Sequence, residues 1–225
     1  MRMLNRIIGG SIAAAAVIAL SALTAQAQPN LLVNPGFEDA GGFTANPITL
    51  ATVDKGWATF NGVQSDMFNS PDFPHSGSFS LLEWNEPGRN WNPAGGYQIL
   101  SGAIPYGKYT FSAYYLTDTG TSTPIGPVDL QIQFLDGALA NLKTVETGWI
   151  GNGMANHVWY QGTATGWAPE GTVYVSVYAM FMDNGQTIID NMYFDDAVLT
   201  VVPEPSSLAL LALAAPFFFI RWRKS

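Results

Sequence analysis

The chain has 225 residues, with nine lysines and arginines against seventeen aspartates and glutamates, and no cysteine. A net charge of −8 excludes the basic face that a nucleic-acid binder needs to neutralise phosphates. The missing cysteines exclude disulfide staples, thiol catalysis and cysteine-ligated zinc.

Residues 1–28 have the layout of a secretory signal peptide. Arg2 and Arg6 supply the positive start, Ile12 to Leu23 the apolar stretch, and Ala25-Gln26-Ala27 a small-x-small cleavage site. A first membrane helix is the weaker reading, because the run is short and small polar residues interrupt it. The mature chain is expected to begin near Gln28. A domain of 29–202 follows, long enough for one hydrophobic core. In it, four basic residues (Lys55, Arg89, Lys108, Lys143) against sixteen acidic ones leave a net charge of −12. That balance suits calcium or neutral polymers such as glycans.

Through this stretch the hydrophobic period is two. Tyr109, Phe111, Ala113 and Tyr115 alternate with Thr110, Ser112 and Tyr114. Leu130, Ile132 and Phe134 alternate with Asp129, Gln131 and Gln133. Val173, Val175, Val177 and Ala179 alternate with Tyr174, Ser176, Tyr178 and Met180. Alternation of this kind buries one face of a strand and leaves the other for solvent or ligand. Turn-rich stretches at 118–127 and 149–156 separate the runs. The expected fold is all-β, an antiparallel sandwich or barrel. No internal repeat is visible, and Pro203-Glu204-Pro205-Ser206-Ser207 is the one linker-like segment, where proline ends the strand ladder.

The domain opens L-L-V-N-P-G-F-E-D-A-G-G (31–42), continues through K-G-W (55–57), H-S-G-S-F-S-L (75–81) and Y-G-K-Y-T-F-S-A-Y (106–114), and closes I-I-D-N-M-Y-F-D-D-A-V-L (188–199). In order and spacing this resembles the jelly-roll carbohydrate-binding modules often appended to xylanases and cellulases, within the galactose-binding-domain-like superfamily. The resemblance implies an antiparallel jelly-roll β-sandwich whose first and last strands lie close together. It also implies a structural calcium held by Glu38 and Asp195, with backbone carbonyls at Gly36, His75 and Ser78. Calcium accepts six to eight oxygen ligands, carbonyls included, and two converging carboxylates repel without a cation between them. The competing reading makes Glu38 and Asp195 ordinary solvated turn carboxylates.

Sugar rings stack on exposed aromatics, and amide and hydroxyl side chains bond the hydroxyls. Trp84 and Trp91 lie in E-W-N-E-P-G-R-N-W-N-P (83–93), which reads as a polar loop. They form the first candidate platform, with Asn85, Glu86, Arg89 and Asn90 as hydrogen-bonding partners. Trp149, Tyr178, Gln131 and Gln133 come next; Trp57 and Trp159 are expected to cap the core, and Trp167 to sit in the turn before a strand. With two histidines and no nucleophile-elbow motif, hydrolase signatures are absent, and H-S-G-S (75–78) says little about triad geometry. Two facing carboxylates are all a glycosidase needs, and Glu83, between Leu82 and Trp84, is the one candidate for a carboxyl with a raised pKa. The expected function is non-catalytic glycan binding. A structural surface or biofilm protein with protein partners is the alternative, and a glycan-active enzyme the more distant one.

The tail runs V-P-E-P-S-S, then thirteen residues from Leu208 to Ile220, then R-W-R-K. As a helix the thirteen would reach about 20 Å, short of the roughly 20 residues a span prefers. Ser206 and Ser207, with snorkelling of Trp222 and the arginines, make it adequate, although Pro216 would kink it. Arg221, Arg223 and Lys224 would hold that end on the cytoplasmic side. The arrangement Pro203-Glu204-Pro205, short span, Arg221-x-Arg223 resembles the PEP-CTERM sorting signal of Gram-negative bacteria, thought to be recognised by the membrane protease exosortase. It implies transient insertion in the inner membrane, cutting near Pro203-Glu204-Pro205, and delivery to the cell surface or the extracellular matrix. A permanent inner-membrane anchor is the alternative, and predicts an intact C-terminus.

Overall fold

The computed structural model describes residues 28–39, 48–60, 65–85, 90–119, 127–150, 154–184 and 190–202. The expected signal peptide, up to Ala27, and the tail from Pro203 fall outside these residues. Among the described residues, one 3-10 turn at Leu50–Thr52 is followed by ten strands: β1 (Ala58–Phe60), β2 (Ser65–Ser70), β3 (Ser80–Asn85), β4 (Asn90–Leu100), β5 (Lys108–Thr119), β6 (Val128–Leu135), β7 (Asn141–Glu146), β8 (Tyr160–Trp167), β9 (Tyr174–Asn184) and β10 (Asp190–Val202). They form two five-stranded sheets, sheet A in the order β1-β4-β9-β6-β7 and sheet B in the order β2-β3-β10-β5-β8. Every paired strand is antiparallel to its neighbour. The fold is an antiparallel jelly-roll β-sandwich.

The alternating runs of the sequence are the reason the two sheets meet. Tyr109, Phe111, Ala113 and Tyr115 of β5 face Leu130, Ile132 and Phe134 of β6, with Val175, Val177, Ala179 and Phe181 of β9 beside them in one continuous core. Each fully buried large apolar side chain contributes about 1.5–3 kcal/mol. Val173 is exposed, because β9 begins only at Tyr174. Close approach of β4 to β9 requires Gly95: a Cβ there would collide with the Ala179 carbonyl.

The N-terminal segment ties the sheets to each other. Asn30 donates to the Ala197 carbonyl, and Leu31 donates to Leu199 O, both at 2.9 Å, on β10 of sheet B. Val33 exchanges hydrogen bonds of 2.8 and 3.0 Å with the Gln98 side chain on β4 of sheet A. Trp57 packs on Phe37 at 5.0 Å between ring centroids and donates to Asn34 O, so it belongs to the core, as the sequence suggests.

Three tryptophan expectations are corrected. Residues 83–85 and 90–93 are strand and not loop: Trp84 lies in β3, paired with Asp66 and Asn191, and Trp91 lies in β4. The two are therefore on different sheets; Asn85 and Asn90 are in the same two strands, and Glu86 and Arg89 lie outside the described residues. Backbone pairing makes strand of a polar, Pro/Gly-bearing stretch whose composition does not announce it. Trp167 ends β8 instead of preceding a strand. Trp159 packs on a small cluster of Leu82, Leu116 and Tyr193 on the outer side of sheet B, apart from the main core.

Candidate functional site

Two sites take shape. The first is at the chain ends. Pro35 O accepts from the Ala197 amide, which brings the Glu38 segment beside the bulge that interrupts β10 between Asp195 and Val198. The loop 75–79 closes over both. Glu38 accepts from the Ser78 amide on both oxygens, at 3.0 and 3.1 Å, and from Phe79 at 3.2 Å. Asp195 Oδ2 accepts from the amides of His75 (2.8 Å) and Ser76 (3.1 Å), and its Oδ1 from Asp196 (2.7 Å). A methyl group on Gly36 would lie 3.8 Å from Glu38 Cγ and 3.9 Å from Asp195 Oδ1, so both carboxyl side chains flank one backbone position.

All five residues that the resemblance implies for calcium are thus brought together. Both carboxylates accept from backbone amides. Asp195 is fully buried, and burial raises its pKa, with the amides of Ser76, Asp196 and His75 pulling it part of the way back. A buried carboxylate of this kind gains from a hard cation, and carboxylate oxygens are donors that calcium accepts. Among the described residues no three His, Asp or Glu side chains cluster as a metal cage, so carbonyls or water would have to complete any shell. Asp196 was missed by the sequence reading. It takes Ser76 Oγ at 2.6 Å and shares a 2.7 Å hydrogen bond with His75 Nδ1, and the His75 ring stacks on Tyr114 at 3.8 Å. Its signal was the doubled aspartate of Phe194-Asp195-Asp196, where the bulge turns both carboxylates to the same loop.

The second site is the outer side of sheet A. Strand register places Gln131 beside Tyr178 and Glu146, and Gln133 beside Ser176 and Thr144. Gln131 Nε2 donates to Asp129 Oδ2 at 2.8 Å and to Glu146 Oε2 at 3.0 Å, and Gln133 Nε2 donates to Gln131 Oε1 at 3.3 Å. Thr147 donates its hydroxyl to Asp129 Oδ1 at 2.9 Å. Two residues further on, Trp149 is 40 % exposed. Its neighbour Ile150 pairs with core-facing Val128 and packs on the core, while Thr147 bonds Leu130, so the bend of Gly148 and Trp149 lies opposite Asp129. Gln131 and Gln133 share a surface, and the bend that carries Trp149 adjoins it at Asp129. Tyr178 shares the face but not the surface, because it is 5 % exposed, stacked with Tyr97 at 5.7 Å and covered edge-on by Phe60 at 5.7 Å. The expectation of an exposed Tyr178 platform is corrected: β1 and the turn before it cover that half of the sheet. The sequence reading also missed Asp129 and Glu146, although the alternation of Asp129-Leu130-Gln131 already put Asp129 on the glutamine face.

Glu83 is a third notable group. It is fully buried, Oε1 accepts from the Gly96 amide at 2.9 Å, and Oε2 has no partner. Burial pushes its pKa well above the carboxylate range, against the smaller pull of the Gly96 bond. The carboxyl touches no solvent.

The sandwich is shared with solved structures whose sequences have diverged widely. The xylan-binding domain CBM22-1 of Xyn10C from Paenibacillus barcinonensis superposes with a TM-score of 0.55 at 15 % identity, over 80 % of this chain and 99 % of that one. A carbohydrate-binding module of the β-sandwich superfamily, studied for promiscuous specificity, gives 0.51 at 16 % identity, over 78 % of this chain and 63 % of that one. The enzymatically active domain of tailspike protein 4 from bacteriophage CBA120 gives 0.52 at 11 % identity; this chain covers 77 % of itself and only 21 % of that chain. The fold is thus that of carbohydrate-binding-module jelly rolls. Residues 201–224 match the PEP-CTERM protein-sorting motif, so the sorting signal at the C-terminus is present. No curated protein matches the chain in sequence.

Proposed function

We propose that this chain is an exported glycan-binding protein, sorted at the membrane through its PEP-CTERM motif and an exosortase-type protease, and non-catalytic. The observation that carries the reading is the outer side of sheet A. There an exposed tryptophan stands beside a row of hydrogen-bonded carboxamides and carboxylates, so an aromatic face adjoins groups that bond hydroxyls. The glycan site is Trp149, Gln131, Gln133 and Glu146, with the buried Asp129 carboxylate holding Gln131 in place from below. Trp84 and Trp91, on separate sheets, are not offered as one platform. A neutral or weakly charged polysaccharide suits a domain whose net charge is −12.

The end-joining site is proposed to hold one calcium between Glu38 and Asp195, completed by carbonyls near Gly36, His75 and Ser78. Its role is structural, because the site joins the segment around Glu38 to the last strand.

A polysaccharide panel, with soluble and insoluble glycans, tests the glycan reading on the purified protein. Retention on at least one glycan that is lost in Trp149→Ala and Gln131→Ala supports it. Retention on none favours a structural surface protein, and turnover of a glycan would replace binding with catalysis.

A further inference from the structure

We infer that the end of the sandwich from which the sorting tail leaves is a membrane-facing surface, which rests on an anionic lipid bilayer while the tail is inserted. The inference rests on the reading of the tail as membrane-inserting, and goes beyond it by giving the folded domain an orientation. Val202 of β10 pairs with Lys108 of β5, and Lys108 pairs with Trp167 of β8, so these three residues form the last row of sheet B. The turns beside that row are stitched together. Ala103 donates to Val173 O, Tyr106 to Ala168 O, and Val173 to Leu135 O at the end of β6 in sheet A. Lys143 Nζ donates to Trp167 O at 2.9 Å, and Gly171 lies against Leu142.

Two properties of this end are unlike the rest of the domain. Six of the twelve exposed large apolar side chains among the described residues gather here: Ile104, Tyr106, Leu142, Trp167, Val173 and Val202, each 38–52 % exposed. A tryptophan and a tyrosine among aliphatics, flanked by lysines, is the composition that sits well at a lipid headgroup boundary. Charge is the second property. Lys108 and Lys143 lie in the patch, and Lys55 follows Asp54, whose carboxylate takes the Ser101 amide and hydroxyl at the end of β4. The acidic groups here are Asp54, Asp136 and Glu170, and Asp136 is occupied by the Ala138 and Ala140 amides of its own turn. Three lysines balance three carboxylates, so the whole net charge of −12 lies elsewhere on the domain. An anionic bilayer would repel an acidic domain in any other orientation. β10 alone runs 13 residues, about 40 Å at the strand rise. That is several Debye lengths of roughly 8–10 Å, so the acidic far end is screened from the headgroups.

The absence of cysteine makes the test direct. Full-length protein carrying one cysteine, labelled with an environment-sensitive fluorophore, is reconstituted into phosphatidylglycerol-containing vesicles with doxyl-labelled lipid as quencher. Val173→Cys is compared with Val158→Cys, a valine of matched exposure (42 % against 44 %) near the opposite end, and with Leu211→Cys in the tail. Leu142→Cys stands in for Val173→Cys should that variant fold poorly. The expected result is quenching at 211 and 173 and none at 158. In the Lys108→Gln, Lys143→Gln double variant, quenching at 173 should weaken in phosphatidylglycerol and match that in phosphatidylcholine. Quenching at 211 with none at 173, or equal quenching at 173 and 158, overturns the surface and leaves the tail reading intact. No quenching at 211 overturns the tail reading, and the surface with it.

Discussion

Glu83 shows how one residue can set a pH dependence. It faces the interior from β3, reaches across to the Gly96 amide of the other sheet, and keeps one oxygen without a partner. Burial raises its pKa in the folded state, so the folded protein binds its proton more tightly than the unfolded chain does. The stabilising contribution is therefore complete at pH below the unfolded carboxylate value, about 4.3, and is lost as pH rises from there through the folded value. Glu83→Gln keeps an acceptor for Gly96 and removes the ionisation. The melting temperature of the variant should fall less than that of the parent between acid and neutral pH, and a pair of thermal melts across pH reads this. Parallel curves would mean that Glu83 ionises freely in the fold. Trp149 is the matching case for binding: Trp149→Ala should weaken retention on the bound glycan by about tenfold or more, as truncation of an aromatic anchor worth about 1.4 kcal/mol does. Its melting temperature should stay unchanged, because the ring is 40 % exposed.

At the scale of the element, the loop 75–79 is the most constrained segment. Four of its amides point at two carboxylates, and Gly77 has φ +65, where a Cβ would also run into the Glu38 carboxylate. Gly77→Ala combines left-handed strain with that collision and should destabilise by about 1–3 kcal/mol, which denaturant unfolding measures. The strands were legible at this scale wherever one face is apolar and the other polar. β5, β6 and β9 were read with their core faces correct, because Leu130, Ile132 and Phe134 leave no other face to bury. β3 and β4 were not, since Glu83 points into the core and Gly95-Gly96 carry no side chains to show a period. Asn85, Asn90, Asn92 and Pro93 read as loop; only pairing with β2, β10 and β9 makes their residues strand.

For the molecule as a whole, the ends decide. If calcium joins Glu38 to Asp195, binding to the folded state alone adds about 2.7 kcal/mol at a hundredfold excess over Kd. At roughly 2–4 °C per kcal/mol for a domain of this size, chelation should lower the melting temperature by about 5–11 °C. Isothermal titration with calcium should show one site, lost in Asp195→Asn. An unchanged melting temperature with no titration heat would leave the amide-capped carboxylates as a sufficient clasp. Intact-mass measurement of the mature protein tests the other end: processing at the sorting motif removes everything after about Pro205, and a retained tail indicates a permanent anchor.

Composition, periodicity and the tail were enough to determine an exported all-β domain, because charge, alternation and sorting motifs are local properties of the chain. The same is true of the glutamine face, since alternation fixes sidedness residue by residue. Which parts of that face remain open was decided only by the tertiary structure. Tyr178 and Gln131 are register neighbours with equal claims in sequence, yet Phe60 covers one and leaves the other. The convergence of Glu38, Asp195 and Asp196 on one loop, and the gathering of apolar side chains and lysines where β10 ends, are equally products of folding. They join residues up to 160 positions apart through strand order, which is set by packing among all the strands together.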